Sequence, residues 1–481
     1  MVSDSGIVAG VSDSKTNDVQ REWAGQPVAE RLALLRGARR VLAGEVRGLC
    51  AAISSELARN DADTMAAEIL PLLEACKFLE REAGRLLKVR RLGRRGLPFW
   101  LSGIDAQVHR VALGRVLLVG TGNYPLFLPG VQAMQALAAG NLVVWKPGGG
   151  GRKVAEVFAG AMTKSGLPEG LLRVTDETVE AAEREIDAGV DKVFFTGSAA
   201  TGRVLLRRLA ETLTPCVVES SGCDAVVVLP SADMARVVKA LAFGMRLNGS
   251  ATCMAPRRLI LVGLTAEQRA KLISNLLVAF SAIAGIRLAG GVARQLDGLL
   301  EAAIRDGALV HGDRQIQQKP ILVTNVLPGM AIAQADIFAP LLTVIETKDE
   351  GDLLAAMDGC PYSLTAAIFG DERMAGLLAA KIVAGSVLVN DLIVPTADPR
   401  VPFGGRRQSG FGVTRGAEGL LEMTAVKVVS VRRGSSTRHF EATSEDHAAL
   451  FEGTIRAGHS ATWNERWRGV RMAIAAGRKL R

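Results

Sequence analysis

Cys253 is the residue around which this chain's chemistry can be organised. It lies in Asn248-Gly-Ser-Ala-Thr-Cys253-Met-Ala-Pro-Arg-Arg258, ahead of the apolar run Leu259-Ile-Leu-Val262. Small neighbours leave space around a sulfur, which a nucleophile needs and a space-filling thiol does not. Alone, the pattern fits a buried core cysteine better, because free cysteine is among the most buried residue types. A catalytic reading requires a base, an oxyanion donor and a cofactor site elsewhere in the chain.

Candidates for each are present. Glu219 ends the run Cys216-Val-Val-Glu219, 34 positions before Cys253, and is followed by Ser220-Ser-Gly222. A carboxylate at a strand end facing a crevice can act as a general base; an ordinary exposed glutamate is the alternative. Asn123, in Thr121-Gly-Asn-Tyr-Pro-Leu126, follows another apolar run. Its amide N–H can stabilise an oxyanion, or the residue can serve a turn. Lys146 closes Leu142-Val-Val-Trp-Lys146, where ligands of open α/β sheets bind; there it can hydrogen-bond a ribose, or cap a strand at the surface. Phe195-Thr-Gly197-Ser198-Ala-Ala-Thr-Gly202 follows a strand and opens a helix, whose free N–H groups suit a pyrophosphate. It is neither the G-x-G-x-x-G fingerprint nor a Walker loop, and a tight turn is the alternative.

These residues fall at the ends of regularly spaced elements. Short β-rich runs at Val116-Leu-Leu-Val119, Leu142–Trp145, Lys192–Thr196 and Cys216–Glu219 alternate with helical stretches. A second block alternates likewise, with strands at 226–229, 259–262, 321–323, 341–345, 364–369 and 387–389. Strand and helix alternating at this spacing predict βαβ units and parallel sheets, hence two α/β domains that divide near Gly222. Before them, apolar residues from Val28 to Ile53 recur at helical spacing, and a second helix runs through Ile69 and Leu79. Residues 88–114 predict a β-hairpin or extended arm, and Val426-Lys-Val-Val-Ser-Val-Arg432 a further strand. Residues 1–18 are polar and expected to be disordered.

The chain has 481 residues, a net charge of +9 and 4% aromatic residues. So few aromatics argue against a stacking platform for single-stranded nucleic acid, and no nucleic-acid partner is expected. Six cysteines without paired spacing predict neither a disulfide framework nor a metal site; they fit a reducing compartment. No signal peptide or run of membrane-spanning length is legible, so the cytoplasm is the default. Charge concentrates at Lys88–Arg95 and from Arg466 to Arg481. In the latter segment Trp463, Trp467, Val470 and Ile474 share one helical face beside Arg466, Arg468 and Arg471. That pattern suits weak contact with a membrane surface or partner, or packing on the protein body.

Taken in order, Asn123-Tyr-Pro-Leu126, Ala138-Ala-Gly-Asn-Leu-Val-Val-Trp-Lys-Pro147, Phe195-Thr-Gly-Ser198, Glu219-Ser-Ser-Gly222, Cys253, Asp336-Ile-Phe-Ala-Pro340 and Pro402-Phe-Gly-Gly-Arg-Arg-Gln-Ser-Gly-Phe-Gly412 resemble the aldehyde dehydrogenase superfamily. The resemblance spans roughly residues 20–432 and does not cover the end of the chain. It implies two doubly wound parallel-sheet domains, cofactor and catalytic, plus a β oligomerisation arm. The expected boundaries are 19–222 for the cofactor domain with an arm at 94–112, 223–412 for the catalytic domain, 413–433 for a returning oligomerisation strand, and 434–481 for a polar, basic tail. A homodimer or homotetramer is implied.

The resemblance also implies roles. Cys253 would attack an aldehyde carbonyl, Asn123 and the Cys253 backbone N–H would hold the oxyanion, and Glu219 would activate the water that releases a carboxylic acid. Lys146 would bind the adenosine ribose of NAD or NADP, with Gly197, Ser198 and Gly202 at the pyrophosphate. Ser220 would border the nicotinamide, Asp336 would take its ribose and Phe338 would lie near its ring. Three departures stand out: Thr121-Gly122 replaces the family's Pro-Trp, Ser220-Ser221 replaces Leu-Gly, and Asp336 replaces a glutamate. The loop Pro147-Gly-Gly-Gly-Gly-Arg-Lys153 lacks the acid that NAD-preferring relatives carry near Gly149, so NADP should at least be tolerated. Two rival readings are a CoA-acylating dehydrogenase or acyl-CoA reductase, which generally lacks the base that Glu219 would supply, and an inactive scaffold member of the family.

Overall fold

The computed structural model describes residues 14–53, 57, 59–435 and 437–480. Most of the segment expected to be disordered lies outside that range, but helix Ser14–Gly25 begins within it. The chain divides into two compact units, Met1–Arg90 with Val108–Lys427, and Arg91–Gln107 with Val428–Arg481.

The larger unit contains two sheets. In the first the order is Gly410–Phe411, Cys216–Ser220, Lys192–Gly197, Arg115–Val119, Leu142–Lys146 and Leu172–Val174. All neighbours are parallel except Gly410–Phe411, which runs antiparallel to Cys216–Ser220. The second sheet runs Leu309–His311, Ile321–Thr324, Leu341–Thr347, Pro256–Val262, Asp224–Val228, Thr365–Phe369 and Ser386–Val389. Only Leu309–His311 is antiparallel to its neighbour. Side chains alternate across a strand. Accordingly Ala225, Val227, Ile260 and Val262 enter one core, and Val226, Val228, Leu259 and Leu261 another. With both faces buried, continuous Val/Leu/Ile runs are what a parallel sheet requires. The α/β class with two mostly parallel sheets is thus as expected.

Helix Phe127–Ala139 is buried along its whole length. Its N-terminus is capped by a distant carboxylate: Glu68 Oε2 accepts from the Leu126 and Phe127 N–H groups at 2.8 Å each. Arg59 pairs with the other oxygen of Glu68 inside the protein. Each charge-assisted bond contributes about 1.5–3 kcal/mol, and the negative charge suits the positive end of a helix. The cap fixes the loop before the helix, which carries Asn123. The single amphipathic helix expected through Val28 and Ile53 is instead two, Val28–Gly44 and Val46–Ala52, broken at Glu45 behind a helix-weakening glycine.

A third sheet takes Arg90–Arg91, Ile104–Ala112 and Thr424–Arg432. The segment after 434, expected as a polar, basic tail with one helical face from Trp463 to Ile474, holds two helices. Glu445–His459 and Trp463–Lys479 are helices packed against one another. The second starts at Thr462, whose hydroxyl accepts from the Glu465 N–H at 3.3 Å. Thr462-Trp-Asn-Glu465 is therefore an N-terminal helix signal, and it opens the helical face expected from Trp463 to Ile474.

Candidate active site

Cys253 follows a turn of unusual backbone. Asn248, Gly249 and Ser250 have φ of 50°, 58° and 64°. In this region a side chain crowds its own carbonyl, at about 1–2 kcal/mol per non-glycine residue. The buried Arg257 holds the turn: Nη1 donates to Ser250 Oγ at 2.7 Å and Ala339 O at 2.8 Å, and Nη2 to Ser250 O at 2.6 Å. Asn248 Nδ2 donates to Asn123 O and Ala251 O, and the Gly222 N–H to Cys253 O at 3.1 Å. The thiol-bearing turn is thereby tied to the loop that carries Asn123 and to the loop that follows the strand of Glu219. Burial pushes the Cys253 thiol well up, the Glu219 and Asp224 charges add to this, and Arg415 opposes it.

Glu219 stands near the carboxyl end of Cys216–Ser220 and is 2% exposed. Thr414 Oγ1 donates to its Oε2 at 3.1 Å, while Oε1 is buried without a protein partner. Burial raises its carboxyl above the usual range; Arg415 and the Thr414 hydroxyl pull it back. A carboxyl raised above its ordinary pKa, with one free oxygen, is suited to taking a proton.

Asn123 faces the same turn. Its Nδ2 donates to Ala251 O at 2.9 Å and its Oδ1 accepts from Thr121 Oγ1 at 2.6 Å. One amide hydrogen is therefore engaged, and the second is the one an oxyanion could use. Gly148 brings the next loop against this one: a Cβ there would lie 2.1 Å from the Thr121 carbonyl carbon.

Two cavities meet at the sulfur. One, of about 280 Å³, is walled mainly by apolar side chains, among them Tyr124, Phe127, Phe243, Met254, Ile393 and Phe403. The other, of about 290 Å³, is lined by Asn123, Gly197, Ser198, Ser220, Asp336 and Phe338. Cys253 and Glu219 belong to both. The polar cavity therefore gathers most of the residues singled out from sequence. Ser198 caps helix Ala199–Thr212, its Oγ accepting from the Thr201 N–H at 3.1 Å, which leaves other N–H groups of the first turn for an anion. Ser220 Oγ is buried and unpartnered. These features fit a nicotinamide dinucleotide.

Two expected cofactor residues lie outside that wall. Gly202 packs in helix Ala199–Thr212, where a Cβ would meet Phe195 and Val218 at 3.4 Å. Gly197 lines the cavity, but a Cβ there would lie 2.6 Å from the Phe195 ring; both glycines thus make room for that ring. Lys146 is buried at the end of Leu142–Lys146, and burial lowers its pKa against the pull of Glu177. Glu177 accepts from the Gly150 and Arg152 N–H groups at 2.9 and 2.7 Å. Arg152 itself pairs with Glu156 at 2.8 Å and with Asp176. A carboxylate from a separate loop thus stands against the glycine loop that itself lacks an acid near Gly149.

The sequence model described as "Aldehyde dehydrogenase family" matches residues 12–429. The chain is 30% identical to 4,4'-diapolycopene aldehyde oxidase of Methylomonas sp. over 84% of its own length and 77% of that protein. It is 29% identical to a probable coniferyl aldehyde dehydrogenase of Pseudomonas aeruginosa, over 83% and 86%. The crystal structure of Mycobacterium tuberculosis aldehyde dehydrogenase complexed with NAD+ superposes with a TM-score of 0.78 at 25% identity, covering 86% of this chain and 88% of that one. This chain belongs to the aldehyde dehydrogenase family. It is an enzyme that oxidises an aldehyde with a nicotinamide cofactor.

Within this aldehyde dehydrogenase the unusual residues compensate one another. Ser221, where the family usually has glycine, donates to the Asp336 carboxylate, so the short acid is anchored by the hydroxyl opposite. Thr414 and Arg415 were not singled out from sequence. Arg415 is 4% exposed, lines the apolar cavity and donates Nη1 to Thr396 O at 2.6 Å. The only signal for it was its place just beyond the Pro402–Gly412 motif.

Proposed function

We propose that this aldehyde dehydrogenase converts an apolar, conjugated aldehyde to its carboxylic acid through Cys253. The observation that carries the reading is the placement of Cys253 and Glu219 where an apolar and a polar cavity meet. The aldehyde enters between Phe127, Phe243 and Phe403. Its aromatic or polyene character is supported by those walls and by the relatives named for 4,4'-diapolycopene and coniferyl aldehydes. The Cys253 thiol gives its proton to water, and the sulfur adds to the carbonyl carbon to form a thiohemiacetal. The free Asn123 amide hydrogen and the Cys253 N–H stabilise the oxyanion. A bound nicotinamide would supply the hydride acceptor that turns the thiohemiacetal on Cys253 into a thioester. Glu219 then accepts a proton from the water that attacks this thioester, and the acid leaves as the thiol re-forms.

Lys146, Ser198, Ser220, Asp336 and Phe338 are assigned to the dinucleotide, with Gly197 and Gly202 shaping its approach. NAD is the preferred form and NADP is tolerated: no acid stands at Gly149, yet Glu177 clasps the same loop. The first sheet and its helices, about 19–222, serve as the cofactor domain, and 223–412 as the catalytic domain. Exposed Val426, Val428 and Val431 on Thr424–Arg432 support strand pairing between copies in a homodimer or homotetramer. Six unpaired cysteines support a cytoplasmic setting.

The test is cofactor reduction with a panel of aromatic, polyene and short aliphatic aldehydes, with Cys253→Ala and Glu219→Gln alongside. Cys253→Ala should abolish turnover. Glu219→Gln should lower hydrolytic turnover by roughly 10²–10⁴-fold, while transfer to added CoA survives. Turnover that persists in Cys253→Ala, or equal preference for short aliphatic substrates, would sink the reading.

A further inference from the structure

The helical hairpin of the smaller unit is built in reverse of a core. Glu445–His459 and Trp463–Lys479 meet through their smallest residues. A Cβ on Gly453 would lie 2.4 Å from Ala473 N, and one on Gly469 would lie 2.4 Å from Ala457 N. The backbones therefore approach as closely as glycine permits, and no large apolar side chain is needed at the seam. The large ones point elsewhere: Trp463 is 69% exposed, Trp467 50% and Ile474 52%.

Those residues are ordered. Trp463, Trp467, Val470 and Ile474 recur at intervals of four, three and four, which places them within roughly 60° of one another at about 100° per residue. The stripe lies about 120° round the helix from the Gly469–Ala473–Ala476 seam. Arg471 and Arg478 flank it on one side and Arg466 on the other. The helix carries five basic residues and one acid, Glu465. The two indoles touch edge to face, 6.0 Å apart.

We infer that this face is a docking surface for an anionic lipid bilayer. Indole rings favour the headgroup level, where the ring body is apolar and the N–H is wet. Arginines on both flanks of the stripe meet lipid phosphates while their stems lie along the acyl boundary. An aromatic stripe bordered by cations on both sides matches a plane of anionic headgroups over an apolar layer. A second copy of the hairpin would instead face those arginines with its own. The helix lies on the membrane and does not cross it: among the described residues no helix is long and apolar enough to span a bilayer. The inference rests on the hairpin alone and is independent of the substrate reading.

The test uses the full chain with vesicles of equal parts phosphatidylglycerol and phosphatidylcholine, against phosphatidylcholine alone, read by co-sedimentation and tryptophan fluorescence. The protein should bind the anionic vesicles with a blue-shifted emission, bind zwitterionic vesicles weakly, and be released as salt rises. Trp463→Ala/Trp467→Ala should lower binding at least tenfold. Arg471→Gln/Arg478→Gln should lower it roughly 30-fold, at the usual strength of a basic residue near an anionic surface. All four side chains are exposed, so neither variant removes a core contact, and both should keep wild-type turnover of a water-soluble aldehyde without vesicles. Failure to bind anionic vesicles, or binding unchanged in both variants, overturns the inference. So does a wild-type oligomer that falls apart in the tryptophan variant by light scattering, since the stripe would then be covered by a second copy.

Discussion

The Arg415 guanidinium lies over the Phe403 ring, 4.3 Å from its centroid, and its other neighbour is the Phe127 ring at 5.4 Å. Held between two aromatic faces, with Nε buried and unpartnered, it places a cation in the wall of the cavity that contains Glu219 and Cys253. Burial raises the pKa of both acids and Arg415 lowers them. Removing the cation therefore raises both further, and each group ionises only at higher pH. Arg415→Met should move the acidic limb of the kcat–pH profile upward, with each unit of movement costing about tenfold in rate at a fixed pH below the limb. Turnover should recover in alkali. A profile lowered uniformly without moving would assign Arg415 to packing alone.

Arg257 offers a separate handle on the nucleophile. It makes three hydrogen bonds that hold Ser250 and Ala339 around a left-handed turn. Arg257→Met strands buried acceptors and releases the turn, each unsatisfied group costing about 1–3 kcal/mol. The expected result is a clear drop in Tm and a kcat that falls more than KM rises, because Cys253 is displaced while the apolar cavity persists. Alkylation of Cys253 by iodoacetamide should change rate in parallel. Wild-type alkylation and kcat in a folded Arg257→Met protein would rule out this positioning role.

Much of this fold is legible because central parallel strands are buried on both faces. Val226–Leu229 and Leu259–Val262 read as unbroken apolar runs for that reason. Edge elements are not legible: Gly410–Phe411 is two residues long, and Leu309–His311 is partly exposed. Helix Gly290–Arg305 opens on two glycines, which mask its start. In the site, Asn123 and Glu219 stand out because they follow or end an apolar run, and Cys253 because a small-residue stretch sets it ahead of one. Thr414 reaches Glu219 across 195 positions of sequence, and Glu177 reaches the glycine loop across 27. No local pattern encodes either contact, since only the packing of separate βα units brings them together. In the tail the helical face from Trp463 to Ile474 is legible but helix Glu445–His459 is not, and the two pack at Gly453 and Gly469, where helix propensity is low.

Glu177 makes cofactor choice testable. Its carboxylate takes two backbone N–H groups of the loop after Lys146, and its negative charge would repel a ribose 2′-phosphate. Glu177→Gln keeps one acceptor and removes the charge. The ratio of kcat/KM for NADP over NAD should rise roughly tenfold, the usual scale of a like-charge contact of about 1.4 kcal/mol. Steady-state kinetics with both cofactors give the ratio. No change would mean that Arg152, already paired with Glu156 and Asp176, and Glu177 both lie outside the reach of the phosphate.

Asp224 predicts a pH dependence of stability with a definite sign. It is buried at the start of Asp224–Val228, where it accepts from the Thr365 N–H at 3.0 Å and Thr365 Oγ1 at 2.7 Å. Burial nevertheless lifts its carboxyl from 3.8 to about 7. Between those values the folded chain holds a proton that the unfolded chain has lost, so stability falls as pH rises through this window and is level above it. Asp224→Asn removes the titration while keeping both contacts, since the Thr365 hydroxyl can accept from the new amide. The Tm of Asp224→Asn relative to wild type should therefore climb from pH 4 to pH 7 and then plateau, with an upper bound of roughly 4 kcal/mol. Melting curves across that range decide it. A difference that stays constant with pH would mean that Asp224 is ionised throughout, with its charge balanced by Arg257 and Arg258.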